Sequence, residues 1–213
     1  MIPKRFATEY PERCLQLLAA FEPIARDRDL FGTFSVMLAS SILLVPWERA
    51  ANKHPLTQEH GGNFQAALKS LKNRRWLVAD FWAGNVPGNW RFSRIMGDPN
   101  NVWDWRDERD QPSFSDEANT IEDRKVKDVF PVIRNALAHG NIVYLDQQGR
   151  ETAGDRVQHL AFISRYEEKE EERAVAETYR VVTVGETEFL PFVRCWAHWV
   201  AAHHQHDLEL RVS

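Results

Sequence analysis

The chain has 213 residues, 43% of them hydrophobic, enough for one sizeable core without demanding a second. A formal net charge of −4 argues against a generally basic nucleic-acid binder, although local patches can hold phosphate, so RNA stays open without being favoured. Cys14 and Cys195 lie far apart inside apolar helical patterns, where a reduced buried thiol is the usual state, and no apolar run follows Met1–Arg5 to make a signal peptide; the expectation is a cytoplasmic protein.

The first predicted helix covers residues 8–25, with Thr8 as N-cap and Pro11 in its opening turn, where a missing N–H costs little. Leu15, Leu17, Leu18, Phe21 and Ile24 form its apolar side. Asp27-Arg28-Asp29 breaks the pattern before a second helix over residues 30–50, and a short charged turn between two long helices implies an antiparallel pair. Leu30 to Trp47 carries no charge, yet Gly32, Thr33, several serines and Pro46 dilute it below the about 20 predominantly apolar residues of a membrane span, so it reads as a fully buried core helix and no membrane partner is expected.

A third helix is predicted over Phe64 to Phe81, with Phe64, Ala67, Leu68, Leu71 and Leu77 or Val78 inward. Lys69, Lys72, Arg74 and Arg75 lie on its outer side, either as a solvated face or as a phosphate-holding patch beside the later motif. Residues 84–115 turn to Gly, Pro, Asn and Trp without a clear period and read as a loop insertion. Trp82, Trp90, Trp103 and Trp105, in or beside it, either anchor the loop to the core or stack nucleic-acid bases.

Ser115-Asp116-Glu117 supplies acidic residues suited to a helix start, leading through Arg124, Lys125 and Lys127; Pro131 predicts a kink or a fresh helix from about Phe130. The final turns read Ile133-Arg134-Asn135-Ala136-Leu137-Ala138-His139-Gly140. At about 100° per residue, Val126, Val129, Phe130, Ile133 and Leu137 fall on one side and Asn135 opposite, flanked by Arg134 and His139. Alanines 136 and 138 keep the polar side without bulk, and Gly140 is the residue that usually ends a helix.

After Gly140 the period changes to that of strands, at residues 141–146, 157–166 and 179–184, with Gln147-Gln148-Gly149 as a turn and the charged run Glu167 to Arg173 as a hairpin tip. A small antiparallel sheet, a β-meander over residues 141–184, is therefore predicted before the last helix, within a single domain over 1–213. That helix spans Glu186 to His203, with Phe189, Phe192, Val193, Trp196 and Val200 inward and Pro191 in its first turn. His198, His203, His204 and His206 cluster near its end, but only His203 and His206 have an i,i+3 relation, so a histidine-containing tail is expected and no metal or other cofactor.

The run Arg134-Asn135, three residues, His139 and a helix-closing Gly140 resembles the R-x(4–6)-H signature of HEPN domains, in which a polar residue commonly follows the arginine. The likeness extends in style over Ile133 to Ile142 and, as helical pattern, over about residues 10–145 plus the last helix. It implies a mainly α fold, a HEPN-like antiparallel helical bundle with the sheet inserted before its last helix. It also implies a metal-independent endoribonuclease that leaves 2′,3′-cyclic phosphate and 5′-hydroxyl ends, in a toxin–antitoxin, defence or stress role. RNA and an antitoxin protein are then the partners.

Within that resemblance the residue types suit the chemistry. An imidazole with an unperturbed pKa of about 6.5 serves as acid or base, the role of His139, and the permanently charged guanidinium of Arg134 matches two phosphate oxygens. Asn135, one turn before His139 and roughly 40° around the helix, orients the imidazole or donates to phosphate. One chain supplies one such histidine where the reaction wants a base and an acid. A homodimer with motif helices facing would bring Arg134, Asn135 and His139 together with their symmetry mates. One HEPN subgroup, paired with minimal nucleotidyltransferase antitoxins, has a tyrosine two positions after the histidine; here that position is Asn141 and the nearest tyrosine is Tyr144, so control through that tyrosine is not carried over. Other HEPN domains bind RNA, nucleotides or protein partners without cutting, which is the second reading.

Overall fold

A computed structural model describes residues 6–51, 62–165 and 178–212. It is mainly helical with a small antiparallel sheet: α1 (Phe6–Asp27), α2 (Phe31–Ala51), α3 (Gly62–Leu71), β1 (Arg91–Met96), α4 (Val126–His139), β2 (Ile142–Leu145), β3 (His159–Ser164), β4 (Thr178–Gly185) and α5 (Glu186–Val212). The chain forms two compact units, one of residues 1–74, 78–86 and 190–213 and the other of residues 75–77 and 87–189. The expected charged tip Glu167 to Arg173, the capping side chain of Thr8 and the side chains of His204 and His206 lie outside what is described.

In the first unit α1 packs on α2, and Asp29 makes the reversal between them in the left-handed region at φ 54°, which aspartate tolerates better than most residues. The apolar side expected of α1 divides in two. Cys14, Leu18 and Ala25 are buried, whereas Leu17, Phe21 and Ile24 are about half exposed. At 100° per residue the second set lies roughly 70° from the first, beyond what α2 covers. Together with Leu30 and Met37 of the α2 side they line an open apolar groove of about 530 Å³. α2 is accordingly buried on one side, through Ser35, Leu38, Ala39, Ile42 and Leu43, and not all round as expected. Among the described residues no helix is long and apolar enough to cross a membrane.

The inner face of this unit is aromatic. Trp196 of α5 lies 6.3 Å from Trp47 of α2 and 6.0 Å from Phe81, centroid to centroid, and Phe64 of α3 lies 5.8 Å from Trp199. Arg194 of α5 reaches back to Glu22 of α1, which also accepts from Arg26 at 2.8 Å. Burial pushes the Glu22 carboxyl up, but the hydrogen bonds and charges of both arginines outweigh it and hold the group below its usual range.

The third helix stops at Leu71, well short of the predicted Phe81, and residues 76–78 and 80–82 form only single 3-10 turns. Pairing overrides helical propensity there. Arg75 makes a β-bridge with Lys125, and the Trp76 N–H donates to the Arg124 carbonyl at 2.8 Å, which draws the backbone out of the helix.

The second unit is a four-stranded antiparallel sheet in the order β1-β4-β3-β2. Strands β2 to β4 are the predicted meander. The outer strand β1 comes from residues 84–115, read from sequence as loop, and pairs with β4 from Arg91↔Thr183 to Met96↔Thr178. Phe92 and Ile95 are buried on opposite faces of this strand, so it lacks the one-sided alternation that would have announced it. β3 is buried on both faces as well, packed by α4 on one and by a cluster of Ile95, Val102, Trp105, Leu145, Ala161, Ile163 and Val181 on the other.

The acidic stretch from Ser115 does not open a helix. Its backbone is taken up instead by β1, with the Thr120 N–H donating to Phe92 O at 2.9 Å and the Asn119 Oδ1 accepting from the Phe92 N–H at 3.1 Å. Helix α4 begins at Val126 and passes through Pro131 as one element, with no fresh start near Phe130. α5 is longer than predicted, and its Pro191 falls in the second turn.

Candidate functional site at the end of α4

The residues that set α4 in place are local. At its start the Asp128 carboxylate accepts from the Lys125 backbone N–H at 2.9 Å, satisfying one of the orphan donors of a helix N-terminus. Its inward face, Val126, Val129, Phe130, Val132, Ile133 and Ala136, is fully buried, so Ala136, expected on the polar side, belongs to the core. Its end is Gly140 at φ 73°, whose N–H returns to the Ala136 carbonyl. From there the chain enters β2 almost at once, with the Ile163 N–H of β3 donating to Asn141 O at 3.0 Å.

On the polar side, the Arg134 Nη1–H donates to Asn135 Oδ1 at 2.8 Å and the Asn135 Nδ2–H donates to Ser164 Oγ at 3.0 Å. The asparagine amide is therefore held at both ends, between an arginine of its own helix and a buried serine of β3. Both motif residues are half-buried. His139, one turn beyond Asn135, is exposed, with Ala138 and Gly140 beside it also exposed. A fixed guanidinium–amide pair thus sits one helical turn from an imidazole open to solvent.

Sheet register adds residues that sequence reading missed. Ser164 stands opposite Arg180 on β4, and Arg180 opposite Arg94 on β1. Directly opposed residues share a face, and the Ser164 hydrogen bond identifies that face as the one under α4. Arg180 is buried, and Arg94 donates to Thr178 Oγ1 at 3.4 Å and lies 3.8 Å from Glu108. The only sequence signal was a serine and an arginine interrupting otherwise apolar strand runs.

A cavity of about 340 Å³ opens beside the helix end, lined by Gly140, Asn141, Ser164, Arg165, Glu151 and Tyr179 among others. Val102 of the loop before α4 lines it too.

The four basic residues singled out from sequence are divided between the two units. Lys69 is exposed on α3, the Lys72 ammonium lies 4.9 Å from the Trp47 ring centroid, and Arg74 lies 3.5 Å from Asp80, all in the first unit. Arg75, in the second, bridges to Lys125 at the start of α4, the end opposite His139. Of the tryptophans, Trp82, Trp90 and Trp105 are buried and Trp103 is 68% exposed. His203 donates from its ring to the Trp199 carbonyl at 2.8 Å and packs tilted against that indole, 4.4 Å between centroids, while His198 is exposed. Among the described residues no three His, Cys, Asp or Glu side chains are grouped to hold a metal. Burial pushes the Cys14 and Cys195 thiols up, and both cysteines are free.

Comparison with known protein families gives a match over residues 1–207 to the family described as HEPN pEK499 p136. No curated protein and no solved structure matches the chain.

Proposed function

Because the chain belongs to the HEPN pEK499 p136 family, we propose that it is a metal-independent endoribonuclease whose reacting residues are Arg134, Asn135 and His139. The observation that carries this reading is the pairing of an exposed His139 with the Arg134–Asn135–Ser164 chain of hydrogen bonds one turn away. In this reaction the attacking 2′-hydroxyl loses a proton, the phosphorane gains negative charge, and the departing 5′-oxygen takes a proton up. His139 handles a proton because imidazole exchanges it near neutrality. Arg134 holds the phosphate, and Asn135, fixed between Arg134 and Ser164, keeps that guanidinium aimed. Arg180, on the sheet face beneath, adds a cation whose field favours the phosphorane.

The one imidazole of the motif meets half of the demand for an acid and a base, so the active species in this proposal is a homodimer with the two α4 ends facing. A toxin or defence role in the cytoplasm, restrained by an antitoxin protein, follows from the same family reading. Lys69, Lys72, Arg74 and Arg75 remain candidate contacts for the RNA backbone distant from the cut.

The test is incubation of the purified protein with structured and unstructured RNA in EDTA, beside His139→Ala and Arg134→Ala variants of unchanged oligomeric state. Cleavage by the parent that leaves cyclic-phosphate ends and is lost in both variants is the expected result. Equal cleavage by His139→Ala, or no cleavage of any RNA, would overturn it and leave a HEPN module that binds RNA, nucleotide or a protein partner.

A further inference from the structure

Trp103 breaks the rule its neighbours obey. Val102 and Trp105 on either side of it are buried in the cluster under the sheet, and the Trp105 Nε1–H donates to Pro99 O at 3.2 Å, so the backbone that carries Trp103 is anchored at both flanks. Its indole is nevertheless 68% exposed. A large aromatic left in water on a fixed loop forgoes the burial that tryptophan ordinarily takes.

What accompanies the ring is a cation from another loop. The Arg150 guanidinium lies 5.4 Å from the Trp103 centroid. Each member of this pair is the chain neighbour of a residue lining the cavity beside α4: Val102 precedes Trp103, and Glu151 follows Arg150. Gly140 and Asn141, the residues directly after His139, line the same cavity. The residues next in sequence to this aromatic–cation pair, and those that follow the motif histidine, thus line one cavity. Glu151 in the lining favours base edges that donate hydrogen bonds and disfavours phosphate, which leaves phosphate to Arg150 and the exposed Arg165.

From this arrangement we propose that the Trp103–Arg150 pair, flanked in sequence by residues of this cavity, is a subsite for single-stranded RNA, in which an unpaired base stacks on Trp103 and the adjoining phosphate is held by Arg150. The inference rests on the RNA-directed reading of the site and deepens it by naming the strandedness of the substrate. Stacking on an aromatic plane is tolerant of base identity and needs a base freed from pairing, so duplex RNA lacks what this pair would engage.

The experiment measures equilibrium binding of a fluorescein-labelled single-stranded oligouridine and of a blunt RNA duplex, in a His139→Ala background so that the probes survive. Trp103→Ala should weaken single-strand binding by about five- to a hundred-and-fifty-fold, the range expected from about 1–3 kcal/mol per stacked base. Trp103→Phe, which keeps a plane, should restore most of it, and duplex binding should be unchanged in both. Arg150→Ala should lower the slope of log affinity against log salt by about 0.7. Equal single-strand binding by Trp103→Ala, an equal loss on duplex, or no single-strand binding by the His139→Ala parent would overturn the subsite. Trp103-dependent binding by a chain that cleaves nothing would keep the subsite and remove the nuclease reading. Cleavage by a wild type that Trp103→Ala matches would do the reverse.

Discussion

Asn135 of α4 and Ser164 of β3 are joined by a 3.0 Å hydrogen bond although 29 positions separate them in the chain. The bond fixes the only amide of the motif to the last residue of a buried strand. Ser164→Ala leaves the half-buried Asn135 amide without its acceptor, which is expected to cost about 1–3 kcal/mol of unfolding free energy. Urea unfolding followed by tryptophan fluorescence measures it. In the cleavage assay the same variant should turn RNA over more slowly, since the Arg134–Asn135 pair loses its support.

Gly140→Ala tests the end of the motif helix. The residue sits at φ 73°, and a Cβ added there would meet nothing within 4 Å, so any loss comes from backbone conformation and not from crowding. The expected destabilisation is about 1–2 kcal/mol, smaller for Gly140→Asn because asparagine enters the left-handed region more readily. Thermal denaturation of the two variants side by side decides it; equal stability of Gly140→Ala and wild type would contradict the assignment.

His159 should make the protein sensitive to mild acid. Burial, then the charge of Arg91, lowers its pKa from the ordinary 6.5, against the opposing pull of Glu188 and Asp146. The folded state thus binds its proton less readily than the unfolded state, and stability falls as pH drops through about 6.5 toward the folded value. Chemical denaturation at pH 7.5 and 5.5 should show a loss that His159→Gln reduces. A loss of the same size in the variant would assign it to other groups.

Glu22→Gln should weaken the first unit by about 1–2 kcal/mol, a figure reduced for the partial exposure of Arg26 and Arg194. Because the folded carboxyl titrates below its ordinary 4.5, its contribution is complete above that value and disappears as pH falls through the folded one. The difference in unfolding free energy between wild type and variant should accordingly be present at pH 7 and shrink toward pH 3. A gap that persists unchanged at pH 3 would show that packing, not charge, is lost.

Much of this was legible beforehand because it is local. The 3.6-residue period of Val126, Val129, Phe130, Ile133 and Leu137 announced the buried side of α4, and Gly140 announced its end. Strands β2, β3 and β4 were visible as β-branched runs of the right length. What escaped depends on distant partners. Strand β1 exists because β4 offers it a ladder, and its two-sided burial hides the alternation. The third helix ends at Leu71, short of its helical pattern, because the Trp76–Arg124 pairing that takes up the backbone beyond it has no sequence signature. Ser164 and Arg180 joined the site only through register, which a single sequence does not print.

The order in which the first unit is assembled has a consequence for synthesis. Its final contributions, Phe192, Trp196 and Val200, lie on α5, after the whole of residues 87–189. On the ribosome the sheet and α4 emerge complete while Trp47 and Phe81 still lack the helix that covers them. At translation speeds of about 5–20 residues per second, the roughly 100-residue delay leaves that aromatic surface open for several seconds. A nascent chain of this protein therefore carries a complete second unit while the aromatic face of its first unit still lies open.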